Sequence, residues 1–467
     1  MKKLLFALFV LSLPYFSLGQ TLLDSRPLKL KNPKSSQQIL NAANENGQVF
    51  AFAADKERVV ALKYNKALFF SDSLSIPRPD KEYEFMAGYS FDENGSPYVY
   101  WANEDFTKMQ SVYLGFENKA SAISVFNLPS NEETIAGTFS KNNAFYIVAL
   151  PKKENSLKIY VFSKNKLQEK VLDFSAYSFV SHNGKTKKFN EFIQEEGLQF
   201  IEEKVLNPLY RSVGISKAYA APGKLLLTAD SPSQTQILEI DLNSFSVSQK
   251  IILQQALAKE GGRANSYYAG GNLYQIKANQ EEIAIAAAAV ESGTVLKRYS
   301  ATASDTIFFK NSPLYSQTGN KRGRALKNTK KFLQRLSDAE LGISAYKTSG
   351  PIMLTIGGIR YVSSAGDIIL GITAGAAMAA ADSGGGNISS FFDGQNRQSI
   401  FFESLFDAGF KHQDSQQQPL AFDSLAQFLD ENEVALESVF PYRDYFILSY
   451  YNAKTKEFVM RKFEDSY

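Results

Sequence analysis

The sequence predicts an all-β fold of repeated four-stranded antiparallel units, and three observations predict it. A polar turn followed at once by an apolar run recurs at Gly47 (NENGQVFAF), Gly95 (DENGSPYVY) and Asn143 (SKNNAFYIV), each 48 residues after the last. Two long stretches read alike. Residues 86–128 and 135–174 both open on Ala-Gly, at Gly88 and Gly137, and continue through a polar turn, an aromatic run, a charged gap, a second such run and a last short apolar strand. The composition is also strand-forming: 36 Phe and 24 Tyr among 467 residues, residue types whose bulk suits a pleated, half-buried surface.

Taken in order, the chain begins with MKKLLFALFVLSLPYFSLGQ. Lys2 and Lys3 make a positive start, Leu4 to Leu13 an apolar stretch, and Ser17-Leu18-Gly19 supplies small residues for a cut after Gly19 or Gln20. Residues 1–20 therefore read as a secretory signal, too short and too interrupted by Pro14 to span a bilayer. In the second unit, strands are expected near 86–91, 97–102, 110–116 and 121–127, joined by tight turns in which Gly accepts positive φ. The period then stretches to 80, because Gly223 (AAPGKLLLT) is the next match, and Gly271 (YAGGNLYQI) follows it by 48. A helical insert near 181–210 accounts for the difference. Lying between matching units, its part 183–207 is expected to be removable, with a loss limited to what Phe189, Phe192 and Phe200 cover.

The last third is less regular. Strand-like runs fall at 305–309, 351–362, 367–373, 399–405, 444–450 and 457–463, with helices expected over Leu326–Leu341 and Leu420–Leu429. Further inserts are placed near 310–342 and 375–397. The N-terminal TLLDSRPLKLKN supplies the outer strand that the last unit lacks, a closure that removes sheet edges.

Four short strands per 48 residues, stacked radially and apolar on both faces, resembles the β-propeller superfamily, with seven blades over residues 21–467. The resemblance rests on period and strand pattern. It implies a rigid disc with loops on two faces and no particular activity.

Composition excludes several classes. There is no Cys, so thiol nucleophiles, disulfides and a lipid anchor on a cysteine are excluded, and stability rests on burial. The formal charge is +3, and +1 without Lys2 and Lys3, which does not suit a general nucleic-acid binder. The two histidines, His182 and His412, stand in separate polar segments, so neither a metal centre nor a Ser-His-Asp triad is expected. Gly184-Lys185-Thr186 lacks the upstream glycine of a phosphate loop, since Phe179 stands there. Asp92-Glu93-Asn94-Gly95 has the flavour of a calcium loop, but Trp101 occupies the position that needs Glu. Glu195-Glu196 and Glu202-Glu203 are sequence neighbours rather than carboxylates facing across a sugar. No cofactor or metal is expected.

Two stretches stand out as binding candidates. Between Lys310 and Arg335 the chain carries eight cations, Arg322, Arg324, Lys327, Lys330 and Lys331 at their centre, and no Asp or Glu; such asymmetry suits an acidic partner. Residues 367–387, DIILGITAGAAMAAADSGGGN, combine Leu370, Ile372 and Met378 with small residues, a run too short to cross a bilayer as a helix but suited to docking into another protein.

Together these features lead to the expectation of a secreted, non-enzymatic interaction platform, periplasmic or outer-membrane-associated, whose partner is another envelope protein, such as an outer-membrane protein. A propeller hydrolase or lyase acting on polysaccharide is the alternative.

Overall fold

The computed structural model describes residues 20–31, 38–128, 132–202, 204–319, 322–361 and 397–467. Seven sheets of four or five strands, and one two-stranded ribbon, make up almost all the regular structure among these residues. In chain order the sheets cover 38–77, 85–127, 133–173, 199–253, 263–302, 315–406 and 435–463, the last completed by Gln20–Pro27.

The second sheet shows how closely the repeat dictates the strands. They run Phe85–Phe91, Pro97–Ala102, Lys108–Gly115 and Ala120–Asn127, within two residues of expectation. All five periodic turns have positive φ: 73° at Gly47, 78° at Gly95, 54° at Asn143, 71° at Gly223 and 85° at Gly271. That backbone region is open to Gly and tolerated by Asn, which is why the pattern accepts only those two residues.

The Ala-Gly that opens both long repeats has a second cause. In each, the register of the innermost strand shifts at this dipeptide, between Met86 and Gly88 and between Ile135 and Gly137. The bulge sets a glycine under an aromatic ring from the next sheet in sequence. A Cβ on Gly88 would stand 2.3 Å from the Phe145 ring, and one on Gly137 2.4 Å from the Phe200 ring. Gly137→Ala is therefore expected to cost about 1–3 kcal/mol through overpacking, and Phe200→Leu in the same chain to recover part of the loss. A Gly137→Ala protein that melts with the parent would refute this packing.

Neighbouring sheets pack face to face through apolar clusters. Leu40, Phe50 and Phe52 meet Met86, Val99 and Trp101; Tyr100 and Met109 meet Phe145 and Phe162; Val148 and Leu157 meet Leu225 and Leu238. One large cluster joins Leu226, Leu273, Ile285, Ile343 and Phe402 across the fourth to sixth sheets. Tyr346, Met353 and Leu405 of the sixth meet Phe446 and Leu448 of the seventh, and Ile447 and Phe458 of the seventh meet Val49 and Ala51 of the first. Burial on both faces explains the consecutive apolar residues in the inner strands. The arrangement is propeller-like.

As expected, Gln20–Pro27 pairs antiparallel with Glu457–Phe463 as the outer strand of the seventh sheet. Asp24 on this strand accepts from the Tyr64 hydroxyl of the first sheet at 2.7 Å and pairs with Arg26, whose guanidinium lies 3.7 Å from the centre of the Phe70 ring. The strand is thus tied to two sheets at once.

Three expectations need correction. Residues 305–309 form a turn rather than a strand, because Phe309 is fully buried and its carbonyl accepts from Ser404 Oγ. The helix expected over Leu326–Leu341 is α3, Thr329–Leu336, and a strand, Glu340–Lys347, follows it. The sixth sheet also takes its outer strands, Tyr315–Thr318 and Arg324–Ala325, from before its inner one. The second expected helix is α4, Ala421–Glu431.

The third correction concerns the insert near 181–210. It holds α1, Phe189–Glu196, and α2, Leu209–Ser212. Between them Gln199–Ile201 pairs in parallel with Ser216–Ala221 and adds an innermost strand to the fourth sheet. Phe189, Phe192, Ile201 and Val205 are buried in three different apolar clusters. The insert is core rather than a removable decoration: its aromatic residues fill space that the repeat leaves open.

A buried ion pair sits where the fourth and fifth sheets meet. Lys217 and Asp230 are both fully buried, 3.1 Å apart. Lys217 Nζ also donates to Asn265 Oδ1 at 2.8 Å, while Asp230 accepts from Thr235 Oγ1 at 2.7 Å and from the Ser266 amide at 3.0 Å. Burial pushes the Lys217 ammonium below its ordinary pKa, and the Asp230 carboxylate opposes that shift.

Candidate interaction surface

The basic stretch folds onto the sixth sheet. Asn328 caps α3 by accepting from the Lys331 amide at 3.0 Å, which starts the helix without help from an acidic residue. Phe332, Leu333 and Leu336 recur on one face and are buried, Phe332 against Phe402 with ring centres 5.5 Å apart. This fixes the opposite face outward, so Lys330 and Lys331 are exposed, as are Lys327, Arg324 and Arg322 before the helix. None of these five forms an ion pair among the described residues. Arg335 instead turns inward and donates to Ser316 Oγ at 3.0 Å. The structure therefore brings Arg322, Arg324, Lys327, Lys330 and Lys331 onto one exposed region. Leu370, Ile372, Met378 and Lys321 lie outside the described residues.

Beside α3 is a cleft of about 350 Å³, lined by Gly262, Arg263, Asn279, Gln280, Leu336 and Ser337. Its Arg263 donates to the Ala339 carbonyl at 2.5 Å, so the guanidinium supports the end of α3. Burial raises the pKa of the nearby Glu340, and Arg263 works against that.

The other constellations are occupied by local structure. Asp92 Oδ1 accepts from the amides of Asn94 and Ser96 at 2.9 and 2.7 Å, a turn motif rather than an ion cage. Gly184-Lys185-Thr186 closes a turn in which the Ser181 amide donates to the Lys185 carbonyl. His182 meets Glu195 and Glu196, the one group of three metal-ligating side chains close enough to converge among the described residues. Each of its carboxylates is already engaged: Glu196 with His182 Nδ1 at 2.7 Å, and Glu195 with Lys187. His412 donates its amide to the Tyr299 hydroxyl at 2.9 Å, and burial lowers its imidazole pKa. It lies far in the chain from His182 and serves packing.

Sequence reading missed two cations at this end of the sixth sheet, Arg360 and Arg397. Each stands at a strand end next to residues 362–396, and nothing in their own neighbourhood marks them as basic. The signal lay in strand pairing, which one sequence does not display.

No protein-family profile matches this chain, nor does any curated protein. Among solved structures, it is similar to the WD40 domain of SCAP from fission yeast, at 11% identity and a TM-score of 0.31 over 94% of this chain and 98% of that one. It is also similar to the AfRom2 CNH domain, at 8% identity and a TM-score of 0.33 over 95% and 99%. A third is dipeptidyl peptidase 4 of Porphyromonas gingivalis, at 11% identity and a TM-score of 0.30 over 70% of this chain and 45% of the peptidase. Among the described residues no helix is long and apolar enough to cross a membrane.

Proposed function

We propose that this chain is a closed seven-bladed β-propeller, exported by residues 1–20, that acts without catalysis as a protein-interaction platform in a bacterial cell-envelope complex, periplasmic or outer-membrane-associated. One observation carries the reading. Five cations, Arg322, Arg324, Lys327, Lys330 and Lys331, project to solvent from a segment whose apolar side is fixed in the core. Like charges held this close repel one another, and among the described residues none of the five has an ion-pair partner to relieve it. An acidic surface on another envelope protein would, and its approach would be steered by the same field.

Changing the five to Glu tests it. Exposed ion pairs and free surface charges contribute about 0–1 kcal/mol each, so thermal stability is expected to stay near that of the parent. Recovery of the native partner by affinity purification from the organism's own envelope should collapse, and wild-type recovery should fall as salt rises. Undiminished recovery together with a sharply lower melting temperature would reduce the stretch to a cover for the sixth sheet.

A further inference from the structure

Resting on the reading just given, we infer that the partner offers an extended acidic polypeptide segment, and that the cations gripping it form a row wider than the basic stretch, completed by Arg360. The register of the sixth sheet places them. Arg360 lies opposite Gln398, Gln398 opposite Thr318, and Ser316 opposite Arg324. Residues directly opposite one another, or two apart along a strand, share a face. Arg360, Thr318, Ser316 and Arg324 therefore stand on one side of the sheet. It is the side that carries α3, because Arg335 bonds Ser316 and Phe332 packs on Phe402, which shares its face with Gln398. Four adjacent strands at ~4.8 Å spacing set Arg360 and Arg324 about 15 Å apart, with Lys327, Lys330 and Lys331 continuing the row along the helix. Exposed Asp338, past the end of α3, is the first acidic residue after the row, and Glu340, opposite Ile359, stands on the other face of the sheet.

Arg397 holds the arrangement from the other face. Its guanidinium lies 4.3 Å from the centre of the Tyr210 ring, and its carbonyl accepts from the Gly319 amide at 2.9 Å. That bond ties Gly319, at the end of Tyr315–Thr318, to the neighbouring strand.

The chemistry selects the ligand. Guanidinium groups match planar carboxylates with two parallel hydrogen bonds. In an extended chain, side chains on one face repeat every ~7 Å, so three alternate carboxylates span about the distance from Arg360 to Arg324. A lipid surface would call for apolar side chains beside the cations. Of the exposed apolar side chains, Ile123, Val125, Ile251 and Leu253 lie on the outer strands of the second and fourth sheets, and Tyr361, next to Arg360, stands on the opposite face of the sixth, opposite Arg397.

The test uses the full chain, a fluorescently labelled oligoglutamate peptide, and vesicles of phosphatidylglycerol. Wild-type protein is expected to bind the peptide at low salt and release it as salt rises, with little recruitment to vesicles. Arg360→Gln, at an exposed position, should melt with the parent yet weaken peptide binding about three- to tenfold, as expected for one charge on a polar rim. If Arg360→Gln binds as tightly as wild type while Arg322→Gln/Arg324→Gln does not, the row is wrong. Vesicle binding without peptide binding overturns the polypeptide assignment. In either case continued capture of a native envelope partner would leave the platform reading standing, and loss of that capture in the five-residue charge reversal is its separate test.

Discussion

Deletion of residues 183–207 is expected to abolish cooperative folding. The segment buries Phe189, Phe192, Ile201 and Val205, and full burial of such side chains is worth about 1.5–3 kcal/mol each. Four of them reach about 6–12 kcal/mol, comparable with the whole stability of an ordinary domain, about 5–15 kcal/mol. The deletion also strips the inner strand from Ser216–Ala221 and the aromatic ring from above Gly137. Near-ultraviolet circular dichroism and a thermal melt give the answer: a broad, weak transition is expected. A sharp transition within a few degrees of the parent would show that the seven sheets stand without the segment.

The second large effect belongs to the buried ion pair. Asp230→Ala leaves the Lys217 ammonium in the interior with the neutral Asn265 Oδ1 as hydrogen-bond acceptor, and breaking a buried pair from one side costs about 3–5 kcal/mol. With an unfolding entropy of ~2.1 cal/mol/K per residue, a chain of this length loses about 1 °C per kcal/mol, so a drop of about 3–5 °C is expected. Replacing both partners by apolar residues, Lys217→Met with Asp230→Leu, removes the uncompensated charge and should cost less than Asp230→Ala alone. A double variant that melts below the single one would mean the pair itself, rather than the avoidance of a lone charge, holds these sheets together.

How far the sequence reached follows from what each element depends on. The second sheet was legible to within two residues because its turns demand positive φ and its inner strands carry dense apolar runs such as Tyr98 to Trp101, and both are local. The outer strand at Gln20–Pro27 was legible from arithmetic: the last unit was one strand short. Glu340–Lys347 was hidden because only the three-residue turn 337–339 separates it from α3, and because it is buried on both faces and shows no alternation. The insert was misread because repeat logic treats whatever lies between two matching units as surplus. Nothing local says that Phe200 will cover Gly137. At the binding surface the contiguous cations were plain in the sequence, whereas Arg360 and Arg397 join them only through pairing across the sheet.

The outer strand of the seventh sheet carries a consequence for the time course of folding. Gln20 sits opposite Phe463, so this ladder cannot begin until nearly the whole chain exists. Closing a loop of that length costs about 5 kcal/mol of chain entropy, and ladders of such long range form slowly. During synthesis residues 20–27 are made first and paired last. A long-range tie in that strand whose partner is made early is the Asp24–Tyr64 hydrogen bond, beside the contact of Arg26 with the Phe70 ring. It gives the waiting strand a place to rest on the first sheet, poised beside the gap that the final residues will fill.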